Sequence, residues 1–162
     1  MRDALEWLER ATRAVSRLSE AEPPHVSAHP FVRRNIHGAL PSVVQRLFDN
    51  GHYSQATFEA FKYLDNVLKK LSGLDKSGKA LMMEALKEVT PLVQLTPLAD
   101  ETDRNEQEGF KFIFAGSMIA IRNPRGHEHD LIDDIETCLD HLGLASLLLR
   151  RLEQAGFGVN NA

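Results

Sequence analysis

A chain of 162 residues has room for one domain with a substantial core, and 43% hydrophobic against 26% charged residues is the composition of a globular protein. Its formal net charge of −4 excludes a protein coated in basic surface for nucleic acid, so any RNA contact has to come from a local cluster of cations. One cysteine, Cys138, excludes an internal disulfide, and no run approaches the ~18 apolar residues of a membrane-spanning helix. The acidic, periodic start Met1-Arg2-Asp3-Ala4-Leu5-Glu6 does not read as a signal peptide, so a cytoplasmic protein is expected.

A first helix is predicted over residues 3–20, with Leu5, Leu8, Thr12 and Val15 on one face and Trp7, Ala11, Ala14 and Leu18 widening it. Ala21-Glu22-Pro23-Pro24 ends it, because two prolines cannot continue a helix. Residues 1–24 thus read as a helical arm and linker that covers the domain or contacts a second subunit, 25–155 as the helical domain and 156–162 as a loose tail. Between Pro24 and Pro41, His25, His29 and His37 have no adjoining acid cluster to complete a metal site. Arg33 and His37, spaced i,i+4, are expected on one helix face.

Residues 42–50 predict a short helix with Val43, Val44, Leu47 and Phe48 inward and Gly51 as its stop. Thr57, Phe61, Leu64, Leu68 and Leu71, flanked by Ala60 and Val67, form the best heptad in the chain and predict one wall of a bundle core, ended by Gly73. After the candidate cap Ser77, a shorter helix carries Leu81, Met82, Ala85, Leu86 and Val89, its methionines filling the core. Residues 88–103, with Pro91 and Pro97, lack a sustained period and predict a long connection. Glu101, Asp103, Glu106 and Glu108 suit the N-terminal dipole of the next helix. That helix is expected to run to Arg122, burying Phe110, Ile113, Phe114, Ser117 and Ile121 and leaving Ala115, Gly116 and Ala120 as a thin face for a neighbour. The last helix carries Leu131, Ile135, Cys138, Leu142, Ala145 and Leu149 inward, with His141 on its surface and Gly143 predicting a tight crossing.

The segment Ile121-Arg122-Asn123-Pro124-Arg125-Gly126-His127-Glu128 concentrates two cations, a histidine, a helix breaker and a glycine. On an unbroken helix Arg122 and His127 would point about 140° apart. Pro124 is expected to break the helix, with Asn123 as the cap of a new one and Pro124 in its first position. Arg122 and His127 would then flank a junction whose free N–H groups suit a phosphate, and Gly126 would let a ligand approach the backbone. Arg125 and Lys111 are the nearby cations that would extend an RNA- or phosphate-binding patch. His127 and His129 form a His-x-His pair without a completed ligand set, so no metal is expected.

Arg122-Asn123-x-x-x-His127 resembles the R-x4-6-H motif of the HEPN superfamily, all-α domains that include many prokaryotic endoribonucleases. The blocks Asp49 to Ala56, Phe58 to Phe61, Asn105 to Phe110, Phe114 to Pro124 and Leu144 to Leu148 resemble the Ymh-type branch of that superfamily over roughly residues 30 to 155. The resemblance implies an all-α, HEPN-like antiparallel helical bundle, here with an extra N-terminal helix. It also implies a metal-independent endoribonuclease of antiviral abortive infection, or a toxin, working as a homodimer with a composite active site.

Attack of the ribose 2′-hydroxyl on the adjacent phosphate needs a proton carrier and positive charge but no cofactor. In that reading His127 is the general base or acid, Arg122 the phosphate clamp, and Asn123 an orienting group. The expected partners are RNA, a second copy, and an antitoxin or defence-system protein, with no membrane. The alternative is a non-catalytic HEPN-like module that binds RNA or a nucleotide, or an oligomerising scaffold that controls a partner protein.

Overall fold

A computed structural model of the protein describes residues 28–127 and 131–160. All regular structure among them is helical, as the periodicities predict: α1 (Pro30–Arg33), α2 (Ser42–Asp49), α3 (Tyr53–Ser72), α4 (Gly78–Ala85), α5 (Glu101–Ser117), a π-helical turn (Met118–Arg122), α6 (Asn123–His127) and α7 (Ile135–Gln154). The predicted helix over 3–20, His25, and the stretch Glu128, His129 and Asp130 lie outside the described residues. None of the described helices is long and apolar enough to cross a membrane.

The helix ends follow local chemistry. Asp100 opens α5 by accepting the N–H of Asp103 at 2.9 Å, and Asp134 opens α7 by accepting that of Thr137 at 2.8 Å. Gly73 closes α3 in the left-handed region, φ 69°, with its N–H donating to the Lys69 carbonyl. Ser77 precedes α4 without a side-chain cap; the buried carboxylate of Asp65 accepts the Gly78 N–H at 2.6 Å instead.

The long helix α3 is the hub, packing against α2, α4, α7 and the π-helical turn. Its heptad behaves as predicted, with Thr57, Phe61, Leu64 and Leu68 fully buried and Leu71 half-buried. Leu142, Leu148 and Leu149 of α7, Leu81 and Met82 of α4, and Phe114 and Met118 meet them in one core. Deep burial pushes the Cys138 thiol up to about 11, so this cysteine is an inert part of that core.

Where residues 88–103 predict a long connection, the chain from Leu86 to Asp100 runs without a helix but is anchored to the core at several points. Gln107, buried on α5, donates to the Leu86 and Val93 carbonyls and accepts the Leu95 N–H at 2.7 Å. Val93 and Leu95 enter the core, and Arg151 of α7 donates to the Leu95 carbonyl.

Several expectations need correction. Arg33 and His37 do not share a helix face, because α1 stops at Arg33 and Asn35 takes a positive φ of 49°. Gly143 marks no tight crossing, since a Cβ there would meet nothing within 4 Å. The tail is held down as far as it is described: Val159 is buried, its carbonyl accepts the Tyr63 hydroxyl, and the Phe157 N–H reaches the Leu152 carbonyl. On α5, Ile113 is exposed rather than buried. With Phe112 and Ile119 it forms an apolar outer stripe separated by the small Gly116 and Ala120.

Candidate functional site around Arg122

The helix does not break at Pro124. Asn123 is helical, φ −64° and ψ −45°, and donates its N–H to the Met118 carbonyl, five residues back. Proline lacks the N–H that the Ala120 carbonyl would otherwise receive, and its ring crowds that carbonyl. The wider turn at Met118–Arg122 absorbs the mismatch, as single π-helical turns do inside α-helices. Asn123 is therefore not a cap, and no helix N-terminus with free N–H groups opens beside Arg122. Arg122 and His127 sit on one continuous helical run, where five residues separate their directions by about 140° and their positions by about 7.5 Å along the axis.

Arg122 is half-buried between three elements. Its guanidinium lies over the Phe58 ring of α3, 5.7 Å from the centroid, and Nη1 comes within 3.8 Å of where a Cβ on Gly78 would stand. Nη1 also donates to Asn123 Oδ1 at a long 3.4 Å, while the buried Nε has no hydrogen-bond partner. Among the described residues no carboxylate pairs with it. Among the described residues such a cation is held in position by packing and is not neutralised. Gly126, one turn on, is required by the same ring, because a Cβ there would lie 2.8 Å from Phe58 Cε2. The closeness expected of Gly126 thus serves Phe58, while His127 is exposed.

Arg125 is fully engaged by other partners. Its Nε and Nη2 grip the two oxygens of Asp133 at 2.6 and 2.5 Å, and Nη1 donates to the Ile121 carbonyl at 2.8 Å. Asp133 in turn donates its backbone N–H to Ser54 Oγ, which donates to the Leu131 carbonyl. Lys111 lies eleven residues before Arg122 along the helix, and is buried in ion pairs with Glu88 and Glu108 and over Phe112. Both cations are engaged within the domain, alongside the RNA- or phosphate-binding role the sequence suggests for them.

The chain matches a family model described as a protein of unknown function (Hypoth_ymh) over residues 34–152. It belongs to this family. No curated protein and no solved structure matches the chain. In this Hypoth_ymh member the matched stretch contains the whole helical run from α5 to α6 and the face of α3 that receives it.

That face is the part of the site that sequence reasoning missed. Ser54, Phe58 and Asp65 are spaced four and seven apart, so they line one side of α3 and meet, in order, the Asp133 segment, Arg122 with Gly126, and the start of α4. The available signal was a serine and an aspartate buried beside an otherwise apolar heptad. Near the same ion pair, His141 keeps a buried Nδ1 without a partner. Burial, then the Arg125 charge, hold its pKa below the ordinary 6.5, with Asp133 and Asp140 opposing. A depressed histidine pKa means that the unfolded chain binds the extra proton first, so stability is full above that value and lost as pH falls through the folded one. His141→Gln is expected to flatten the decline of the urea midpoint as pH falls below about 6.5. An unchanged decline would contradict this origin.

Proposed function

We propose that the protein is a metal-independent endoribonuclease of the HEPN type, acting in antiviral abortive infection or as a toxin, with Arg122 as phosphate clamp and His127 as proton carrier. The observation that carries the reading is Arg122: a guanidinium fixed by Phe58 and Asn123, with a buried unpartnered Nε and no carboxylate partner among the described residues. Its fork can bridge two non-bridging oxygens of a phosphodiester and offset the charge gathering on phosphorus as the 2′-hydroxyl attacks. Histidine is suited to taking the hydroxyl proton or supplying one to the leaving 5′-oxygen, and His127 is exposed to solvent. The products are a 2′,3′-cyclic phosphate and a 5′-hydroxyl. Asn123 Oδ1 orients the clamp through its contact with Arg122.

Because the helix is continuous, Arg122 and His127 of one chain face about 140° apart and one copy does not close around a single phosphate. A two-fold dimer brings a second pair to the same groove and gives the reaction both a base and an acid. The apolar stripe Phe112, Ile113 and Ile119 leads along the same helix to Arg122, and its small residues admit a close helix from a second copy. An antitoxin or defence-system protein is a further proposed partner.

A second reading has its own support. With Arg125 and Lys111 engaged internally and a net charge of −4, the surface offers little attraction for long RNA, which favours a non-catalytic module that holds a single nucleotide or short RNA, or an oligomerising scaffold that controls a partner protein. Incubating purified protein with labelled RNA in EDTA separates the two. Cleavage that His127→Ala abolishes is the expected result; stable binding without turnover supports the module, and chelator-sensitive cleavage sinks the metal-free mechanism.

A further inference from the structure

The strongest polar feature beside the site is the buried pair Arg125–Asp133, whose side chains are only 7% and 5% exposed. Removing two charges from water is costly, and a buried pair can often be replaced by apolar side chains of similar volume without loss of stability. Packing alone therefore does not require charges here. What the charges supply is direction. The Arg125 fork joins both oxygens of Asp133 to the carbonyl of Ile121, which belongs to the π-helical turn immediately before Arg122. The backbone of Asp133 is locked to Ser54 at the first turn of α3, and Ser54 holds the Leu131 carbonyl as well. One connected set of bonds thus ties the turn carrying Arg122, the helix end carrying His127, and the returning chain to the helix that supplies Phe58.

We infer that Arg125, Asp133 and Ser54 are positioning residues for Arg122 and His127, an inference that rests on the reading of those two as clamp and proton carrier. None of the three touches RNA. Their bonds fix the register of the widened turn, so that the guanidinium stays over Phe58 while His127 is presented about 1.4 turns further on. Without the fork, the Ile121 carbonyl loses a donor and the turn can relax towards other hydrogen-bond patterns, displacing both groups.

The test compares wild type with Arg125→Lys and with the double variant Arg125→Met/Asp133→Leu, measuring Tm, kcat and KM on a single-stranded RNA. The double variant is expected to melt within about 3 °C of wild type. Its kcat is expected to fall about 100-fold at a KM within about twofold, the signature of displaced groups rather than lost binding. Arg125→Lys keeps the charge but cannot span two carboxylate oxygens and a carbonyl with one ammonium, and is expected to lose about tenfold in kcat. A folded double variant with wild-type kcat overturns the inference. So does an unaffected Arg125→Lys, even where the double variant does not fold. Wild-type protein that leaves RNA intact overturns the functional reading and the inference together, whereas active wild type beside equally active variants overturns the positioning role alone.

Discussion

Arg122→Met is expected to cut RNA cleavage by about 100- to 1000-fold, the loss that follows removal of a donor to transition-state charge, while leaving the fold intact. Methionine keeps an unbranched stem against Phe58 and removes only the charged fork. The lost cation–π contact is worth about 0.5–1 kcal/mol, and removing a buried donor without a partner returns about 1–3 kcal/mol. The two offset, so Tm should equal or exceed that of wild type. A residue placed for packing behaves in the opposite way. A clear fall in Tm with cleavage retained would identify Arg122 as structural.

Gln107→Leu is expected to be the most damaging single change away from the site. The side chain of Gln107 serves three backbone groups of the 86–95 segment at once, the Leu86 and Val93 carbonyls and the Leu95 N–H, all through one buried amide. Leucine fills nearly the same volume and satisfies none of them. Stranded buried groups cost about 1–3 kcal/mol each, and some will find new partners, so a loss of about 3 kcal/mol is expected. In a urea titration this lowers the midpoint by about 1.5 M for a slope near 2 kcal/mol/M. A midpoint shift below about 0.5 M would show that the segment holds itself in place by its apolar contacts.

How far the fold could be read from the residues follows from which interactions are periodic. The heptad Thr57, Phe61, Leu64 and Leu68 is a repeated local pattern, and the structure buries it as the spacing requires. The stripe on α5 misled because Ile113 and Phe114 point about 100° apart on the helix, and here the core lies on the Phe114 side and leaves Ile113 outside. Pro124 misled for a different reason. Its missing N–H does forbid a regular turn, but a helix can answer with a cap and a restart or with a widened turn, and tertiary packing against Phe58 and Ser54 selects between them.

At the candidate site, the concentration of polar residues from Arg122 to His127 was legible, and their division of labour was not. Arg125 and Arg122 are the same residue type three positions apart. The first is sequestered by Asp133, eight positions away in sequence, and the second faces an aromatic ring from a distant helix. Spacing carries no record of such partners. Gln107 and Asp65 were invisible for the same reason, since each is bound to backbone groups far along the chain.

The chemistry assigned to Arg122 and His127 is tested most directly by the ends of the RNA fragments formed in EDTA. Mass spectrometry of fragments from the wild-type protein should find 2′,3′-cyclic phosphate and 5′-hydroxyl termini, and neither should form with His127→Ala. Fragments ending in a 3′-hydroxyl and 5′-phosphate, or cyclic ends produced equally well without His127, would contradict the assignment.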